Sequence, residues 1–231
     1  MAPTIETVAI YNSHQEHSVD FFGMELIVTV TPTASVISQW ISNVLYNNSA
    51  RFFSHPLVVG VGVQWTADDP HSSPPGDSYY ADPSPPRYYV DPPADTLQLS
   101  VGNECLIIQL SYCDDVPDEL RSFLTDPQTT YVGVRNSQDA RKLATCRHRL
   151  QMGELLDIRN YVRDSQGCHM RGRSFEAIFH ERMGFQGVRL DPEISRSDWS
   201  VYELSDEQIL QASLDVCVCA KLGVWERLWE V

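Results

Sequence analysis

The sequence predicts an α/β fold: a mixed β-sheet flanked by helices. Strand-forming runs come first, strands then alternate with helical segments, and 231 residues, 42% of them apolar, suffice for one full core. One globular unit with elaborations is expected: an N-terminal segment of strands and a helix over residues 1–56, joined to a domain over 57–231. No run approaches the roughly 18 apolar residues a spanning helix needs, and the first residues lack a basic stretch followed by an apolar one. The expectation is a cytoplasmic or nuclear, unsecreted protein without membrane association.

Thr7–Asn12 and Met24–Thr31 are rich in Val, Ile and Thr and read as an antiparallel pair. Thr33 can cap a helix to about Tyr46, because Val36, Ile37, Trp40, Ile41, Val44 and Leu45 recur on one helical face. Leu57–Trp65 reads as a buried strand. Residues 66–95 hold eight of the fourteen prolines and four tyrosines, with no periodic apolar face, so an extended loop is expected. Within it Tyr-Tyr-Ala-Asp-Pro at 79–83 recurs as Tyr-Tyr-Val-Asp-Pro at 88–92. The loop reads either as a polyproline-like display of rings or as an unstructured insertion.

Order returns with Thr96–Val101 and Glu104–Leu110, a hairpin across Gly102 and Asn103. Pro117–Leu124 reads as a short helix and Thr130–Val134 as a buried strand. Helices are then expected over Ser137–Leu150, Leu155–Val162, Ser174–Met183, and from Ser205 toward Val231, where Ser205 and Gln208 form a capping box.

The formal charge is −14, which disfavours a phosphate-backbone partner. It is unevenly spread: residues 1–134 carry 3 basic and 16 acidic side chains, 135–189 carry 11 and 6, and 190–231 carry 3 and 9. The basic middle could be a remnant nucleic-acid surface, with Arg171 and Arg173 as candidates, a dock for an acidic partner, or simply solvated helix faces. Six cysteines without a C-x-x-C pair suggest reduced thiols rather than a disulfide framework or a zinc site.

The strand Leu-Val-Val-Gly-Val-Gly-Val-Gln-Trp at 57–65 resembles the first motif, V-V-G-x-D-x-E-W, of plant Werner-type 3'-5' exonucleases of the DEDDy class, in the ribonuclease H-like superfamily. The hairpin at 95–110, Tyr131–Val134 followed by Asp139–Leu143, and Trp199 with Leu204–Gln208, Ala212 and Asp215 resemble the family's later elements in the same order. The resemblance implies a ribonuclease H-like exonuclease fold. It also implies a site in which four carboxylates hold two Mg²⁺ or Mn²⁺ ions about 3.5–4 Å apart while a Tyr orients the attacking water.

At those five positions this chain has Gly62, Gln64, Asp139, Gln211 and Asp215. Three are replaced, and the carboxylate pair on the strand is gone, so no catalytic residue is expected to function. Asp139 and Asp215 remain as weak residual ligands at most, or as a helix-start and a solvent-facing Asp. Asp68 or Asp69 beyond the strand could in principle compensate. No cofactor is expected to bind tightly.

The reading that follows is a pseudo-exonuclease that binds or regulates another protein, the partner's identity being open. Tyr79, Tyr80, Tyr88 and Tyr89, with Trp225 and Trp229, are the candidate contact residues, although the two tryptophans could equally be core. The alternatives are a residual 3'-5' exonuclease or a protein that binds nucleic acid, weakly, without cutting it. Self-association into a homo-oligomer is compatible with the sequence.

Overall fold

A single eight-stranded sheet runs through the chain, in the order β1-β2-β3-β6-β5-β4-β7-β8. Its strands are β1 (Thr4–Ile10), β2 (Gln15–Phe21), β3 (Met24–Thr31), β4 (Val58–Gln64), β5 (Thr96–Val101), β6 (Glu104–Gln109), β7 (Thr130–Gly133) and β8 (Leu155–Asp157). Six helices accompany it: α1 (Ala34–Ser49), α2 (Asp118–Leu124), α3 (Asp139–Thr145), α4 (Phe175–Met183), α5 (Pro192–Ser195) and α6 (Asp206–Trp225). The structure, a computed structural model, describes residues 3–49, 55–67, 91–184 and 191–231.

The sheet is mixed, as expected. Strands β3 and β6, β4 and β7, and β7 and β8 pair in parallel, while the other neighbours are antiparallel. The β5–β6 hairpin turns at Gly102, whose φ of 59° needs no Cβ to be avoided, and its register pairs Val101 with Glu104. The N-terminal strands are part of the same sheet, through the pairing of β3 with β6.

Alternation along β4 divides the core in two. Val59, Val61 and Val63 point to the face covered by α1, α2 and α3, with Leu97, Leu99, Leu106 and Ile108. Val58 points to the other face, where Val216, Cys219 and Leu222 of α6 and Ile178 and Phe179 of α4 pack. Gly60 and Gly62 lie on that same α6 side. A Cβ on Gly60 would stand 1.8 Å from the Val216 carbonyl oxygen, so helix backbone lies directly on strand backbone. Farther along α6, Gly223 meets Val58 and Val132 in the same way, with a Cβ reaching 2.9 and 2.8 Å from their methyl groups.

Several sequence expectations need correction. The N-terminal pair is a three-stranded meander, because β2, which is polar at Gln15, Glu16, His17 and Ser18, lies between β1 and β3. Its core-facing Val19 and Phe21 come only at its end, leaving too short an apolar alternation to find. Leu155–Val162 is not a helix. Leu155–Asp157 adds to the sheet edge beside β7, and Asp157 then caps a 3-10 turn over Ile158–Asn160. The helix expected over Ser137–Leu150 is confined to α3, and the last helix stops at Trp225, where Arg227 adopts a left-handed φ of 54° before a 3-10 turn at Leu228–Glu230. The Ser205–Gln208 capping box is present.

Gly60→Ala should be severely destabilising, since a Cβ cannot be placed without lifting α6, and overpacking of this kind costs about 1–3 kcal/mol or more. Urea unfolding of this variant against Gly172→Ala, where a Cβ meets open space, checks the claim; equal midpoints would contradict it.

Candidate functional site

Strand β4, the segment after β7 and the first half of α6 enclose a cleft of about 320 Å³. Gly62, Gln64, Asp139 and Asp215 all line it, so the fold brings together four of the five positions singled out from sequence. The cleft lies at the carboxyl ends of parallel strands β4 and β7, where open α/β sheets characteristically place their sites. Gln64 ends β4, and Val134 and Arg135 follow β7. Beside them Trp65, Gln98, Ser195, Arg196 and Cys219 complete the wall.

Gly62 offers no ligand, and the place of its missing Cβ is closely lined. Antiparallel register sets it opposite Gln98 of β5, on the same face. Gln98 is fully buried and donates its amide N–H to Thr96 Oγ1 at 2.6 Å. Its Oε1, without a hydrogen-bond partner among the described residues, lies 2.9 Å from where a Gly62 Cβ would be; Val216 Cγ1 lies equally near. A carboxylate at 62 would have to displace both.

Gln211 sits on α6 one turn before Asp215, but both ends of its amide are engaged. Its Oε1 accepts the Asp191 N–H at 2.8 Å, and its Nε2 donates to Ser195 Oγ at 2.7 Å and to the Asp191 carbonyl at 3.3 Å. Gln211 therefore fixes α5, whose end delivers Ser195 and Arg196 to the cleft wall. It has no donor left to orient a water.

The two remaining carboxylates are uncomfortable. Asp139 is buried at the first residue of α3, and burial, with the charge of Asp157 second, pushes its pKa up to about 7. Asp215 presents one edge to the cleft, yet its Oδ1 is covered and unpartnered among the described residues. Burial first, then Glu176, pushes Asp215 up to about 7, with Arg135 acting in the opposite direction. Burial would also raise Asp157, but hydrogen bonds from Arg159 and the Arg135 backbone hold it below the usual carboxylate range; Arg159 pairs with it at 2.6 Å.

This donor set does not fit two divalent ions. Two carboxylates and one neutral amide oxygen face four positive charges, the fourth ligand position carries no atom, and Arg135 and Arg196 already bring two cations. Among the described residues no group of three or more His, Cys, Asp and Glu side chains is placed to hold a metal. Asp68 and Asp69 lie outside the described residues.

The other candidates scatter. Tyr79, Tyr80, Tyr88 and Tyr89 lie outside the described residues, but both roots of their loop are fixed beside the cleft. At the entrance the Thr66 N–H donates to Asp95 Oδ2 at 2.7 Å, and Thr66 Oγ1 donates to Asp198 Oδ1 at 3.0 Å. At the exit Lys142, fully buried, bonds Asp91 Oδ1 at 2.8 Å and the Pro92 carbonyl at 2.6 Å, with its ammonium 4.3 Å from the Trp65 ring centre. Trp225 is 56% exposed beneath Arg182, whereas Trp229 is partly buried and stacked on His55. The two do not share a helical face, because α6 ends between them.

Arg171 and Arg173 are exposed, and Arg171 donates to Asn160 Oδ1. Other members of the basic segment make contacts within the chain, Arg141 and Lys142 with Asp91, Arg159 with Asp157, Arg163 with the Gly167 carbonyl, and Arg147 with the Ser111 and Asp114 carbonyls, although Arg141, Arg147 and Arg163 stay exposed. No helix of the described residues is long and apolar enough to cross a membrane. The six cysteines are free, five of them buried.

Sequence reasoning missed Gln98, Arg135 and Arg196 as cleft residues, and Asp157 as the charge that acts on Asp139. Gln98 had a signal, a lone large polar side chain in the run Thr-Leu-Gln-Leu-Ser-Val; the two arginines reach the cleft through tertiary placement alone.

A family model described as 3'-5' exonuclease matches residues 87–231, well over half of the chain, and the chain belongs to that family. No curated protein matches it. Among solved structures, RNase D of Escherichia coli, titled an exoribonuclease involved in structured RNA processing, is 18% identical with a TM-score of 0.60, over 87% of this chain and 44% of that one. The catalytic core of RRP6 from Trypanosoma brucei is 14% identical with a TM-score of 0.56, over 88% and 46%. The Nibbler EXO domain of Aedes aegypti is 12% identical with a TM-score of 0.58, over 87% of each chain. The chain thus spans less than half the length of the RNase D and RRP6 chains. At these identities the likeness concerns the fold, which is the ribonuclease H-like 3'-5' exonuclease fold.

A buried carboxylate whose folded pKa lies above its unfolded value costs stability above the folded pKa, and that cost fades as pH falls toward about 4. Asp139→Asn and Asp215→Asn should therefore each stabilise the protein, by about 1–3 kcal/mol at pH 8 and by much less at pH 5, given about 1.4 kcal/mol per pKa unit and screening by cleft water. Chemical denaturation at the two pH values is the measurement; a gain independent of pH would refute the burial account.

Proposed function

We propose that this chain is a pseudo-exonuclease: a member of the 3'-5' exonuclease family that has lost the two-metal site and serves as a protein-binding or regulatory module. The observation that carries this reading is the chemistry of the cleft at Gly62, which lines it without any donor atom and has Gln98 Oε1 and Val216 Cγ1 2.9 Å from where a Cβ would stand. The motif at Leu57–Trp65 supports a finer placement beside plant Werner-type proteins. The engaged amide of Gln211 and the absence of charge at Gln64 act in the same direction. Each removes a separate requirement of metal-assisted hydrolysis, and loss of such charge stabilisation costs orders of magnitude in rate.

The candidate recognition element is the Pro/Tyr-rich loop. Tyr side chains bring large contact area at low entropic cost, and prolines reduce what must be ordered on binding. Both loop roots are fixed on the cleft rim, so the tyrosines would be presented there. The −14 charge argues for a protein rather than a nucleic-acid partner, and the free cysteines argue for a cytoplasmic or nuclear setting.

Purified protein with Mg²⁺ or Mn²⁺ is expected to leave 3'-end-labelled single-stranded and recessed DNA and RNA intact. Progressive shortening that vanishes in Asp139→Ala or Asp215→Ala would overturn the reading.

For the loop, simultaneous replacement of Tyr79, Tyr80, Tyr88 and Tyr89 by Ala should weaken binding to a partner captured from native extract by at least about tenfold, the scale of one or two aromatic hot spots. The melting temperature should stay unchanged. Unaltered affinity in a folded variant would reduce the loop to a linker.

A further inference from the structure

We propose that the free edge of β1 is a docking site for an extended segment of a partner protein, apolar at alternate positions with Lys or Arg between them, which adds to the sheet as a further strand. The inference goes beyond the pseudo-exonuclease reading and does not depend on it. β1 lies outside residues 87–231, and in the sheet order it stands five strand spacings, roughly 24 Å, from the β4 strand that lines the cleft.

The two ends of the sheet are built differently. β8 is three residues long and runs straight into the 3-10 turn capped by Asp157, so it offers little ladder to a newcomer. β1 is seven residues long and, among the described residues, pairs on one side only, with β2. Backbone N–H and C=O groups along its other side form a template for strand pairing unless the edge is blunted by Lys, Pro or a bulge. Thr4–Ile10 contains neither Lys nor Pro. Its one such device is a bulge: Thr7 opposes His17 and Ala9 opposes Glu16, which leaves Val8 without a residue across from it.

The bulge does not bury its own side chain. Val8 is 60% exposed, Ile10 73% and Tyr11 52%, so three large apolar side chains stand together at one end of the edge. The backbone beneath them is held in place. Tyr11 N–H donates to the His14 carbonyl at 2.9 Å, the two rings stack with centres 4.4 Å apart, and Thr7 Oγ1 bonds the ring of buried His17 at 3.2 Å. An incoming strand therefore meets an edge already formed, which lowers the ordering cost of docking.

Charge selects the occupant. Residues 1–50 include Glu6, Glu16, Asp20 and Glu25 and contain no Lys or Arg. Glu6, Asp20 and Glu25 are exposed. Burial lowers the His17 pKa and Asp206, the first residue of α6, acts against it, so a further carboxylate stands by the meander. A second copy of this chain would bring the same carboxylates against these and is disfavoured, whereas a strand bearing Lys or Arg answers them. In strand addition the backbone supplies affinity and alternate side chains supply selection; here apolar residues would cover Val8 and Ile10 while cations answer Glu6.

The probe is a fluorescein-labelled seven-residue peptide alternating Val and Lys, added to the full chain at about 0.15 M salt. One control peptide alternates Val and Glu. A second keeps Val and Lys but is N-methylated at its central run of amides, so that neither of its edges extends a ladder. Fluorescence anisotropy gives Kd, and amide hydrogen exchange reports where the peptide lies. The Val/Lys peptide is expected to bind at least about tenfold more tightly than either control and to slow exchange across β1. Val8→Lys combined with Ile10→Lys should weaken binding at least about tenfold at an unchanged melting temperature, since both side chains are exposed. If the double variant melts lower, Ile10→Lys alone carries the comparison.

Absence of binding, equal affinity for either control, undiminished binding to the variant, or protection elsewhere than β1 would overturn the inference. Self-association seen by light scattering and abolished by the same variant would overturn it too, by making a second copy the occupant. None of these outcomes bears on the cleft, whose reading stands or falls on the nuclease assay.

Discussion

The backbone contact between α6 and β4 at Gly60 governs the rest of the molecule. A side chain at 60 would collide with the Val216 carbonyl, so the helix lies on the strand at a distance that only glycine permits. That contact fixes α6 in both height and register. Residues on the helix face toward β4 are then set: Val216 over Gly60 and Gly62, Gly223 over Val58 and Val132, and Asp215 beside the end of the strand. The capping box at Ser205 fixes where the helix begins, and Gln211 anchors α5 across its first turns. Cleft geometry is thus a consequence of backbone packing together with the polar caps of α6.

Close packing also explains why replacement at 62 is more than the loss of one ligand. With the helix this near, a position without a side chain does not remain a hole, because interiors fill to near crystalline density. Gln98 and Val216 occupy the space, and each is itself held, Gln98 by Thr96 and Val216 by the Gly60 contact. Position 62 offers no donor atom, and its two neighbours line the place a Cβ would take. What remains charged is balanced nearby: Lys142 and Arg141 on Asp91, Arg159 on Asp157, and two arginines in the cleft wall against two aspartates. Of the positive charge that a composition count assigns to residues 135–189, Arg141, Lys142, Arg159 and Arg182 are paired with carboxylates, while Arg135, Arg147, Arg149, Arg163, Arg171 and Arg173 remain exposed.

Most of the fold was legible in the sequence wherever one face of an element is apolar and periodic. Leu57–Trp65, the Gly102–Asn103 hairpin, the helix after Thr33 and the capped start of α6 all carry strong local signals. Where tertiary context decides, the signals failed. β2 is mostly polar because it sits near the sheet's end, and Leu155–Asp157 pairs with β7 although its length of three residues gives alternation nothing to display. The site was legible as a set of positions because motif spacing is linear, and Gly62, Gln64, Asp139 and Asp215 do converge. Gln98 carried only a weak signal, a lone large polar side chain in an apolar strand that reaches the cleft by cross-strand register, and Arg135 enters through tertiary placement that sequence alone does not reveal.

One strand links the cleft to both ends of the Pro/Tyr-rich segment. After Gly62 and Gln64, the same chain direction brings Trp65 beneath the Lys142 ammonium and Thr66 onto Asp95 and Asp198, so the entrance to the Pro/Tyr-rich segment leaves from the cleft rim itself. Its exit returns to the identical place, because Lys142 grips Asp91 and Pro92 from α3, the helix whose first residue is Asp139. A buried lysine is costly unless paired, and this one is satisfied by a carboxylate, a carbonyl and an aromatic face at once. All three partners belong to the two ends of the loop or to the residue before it. Holding that ammonium out of water therefore requires Trp65, Asp91 and Pro92 to stay docked together beside the cleft.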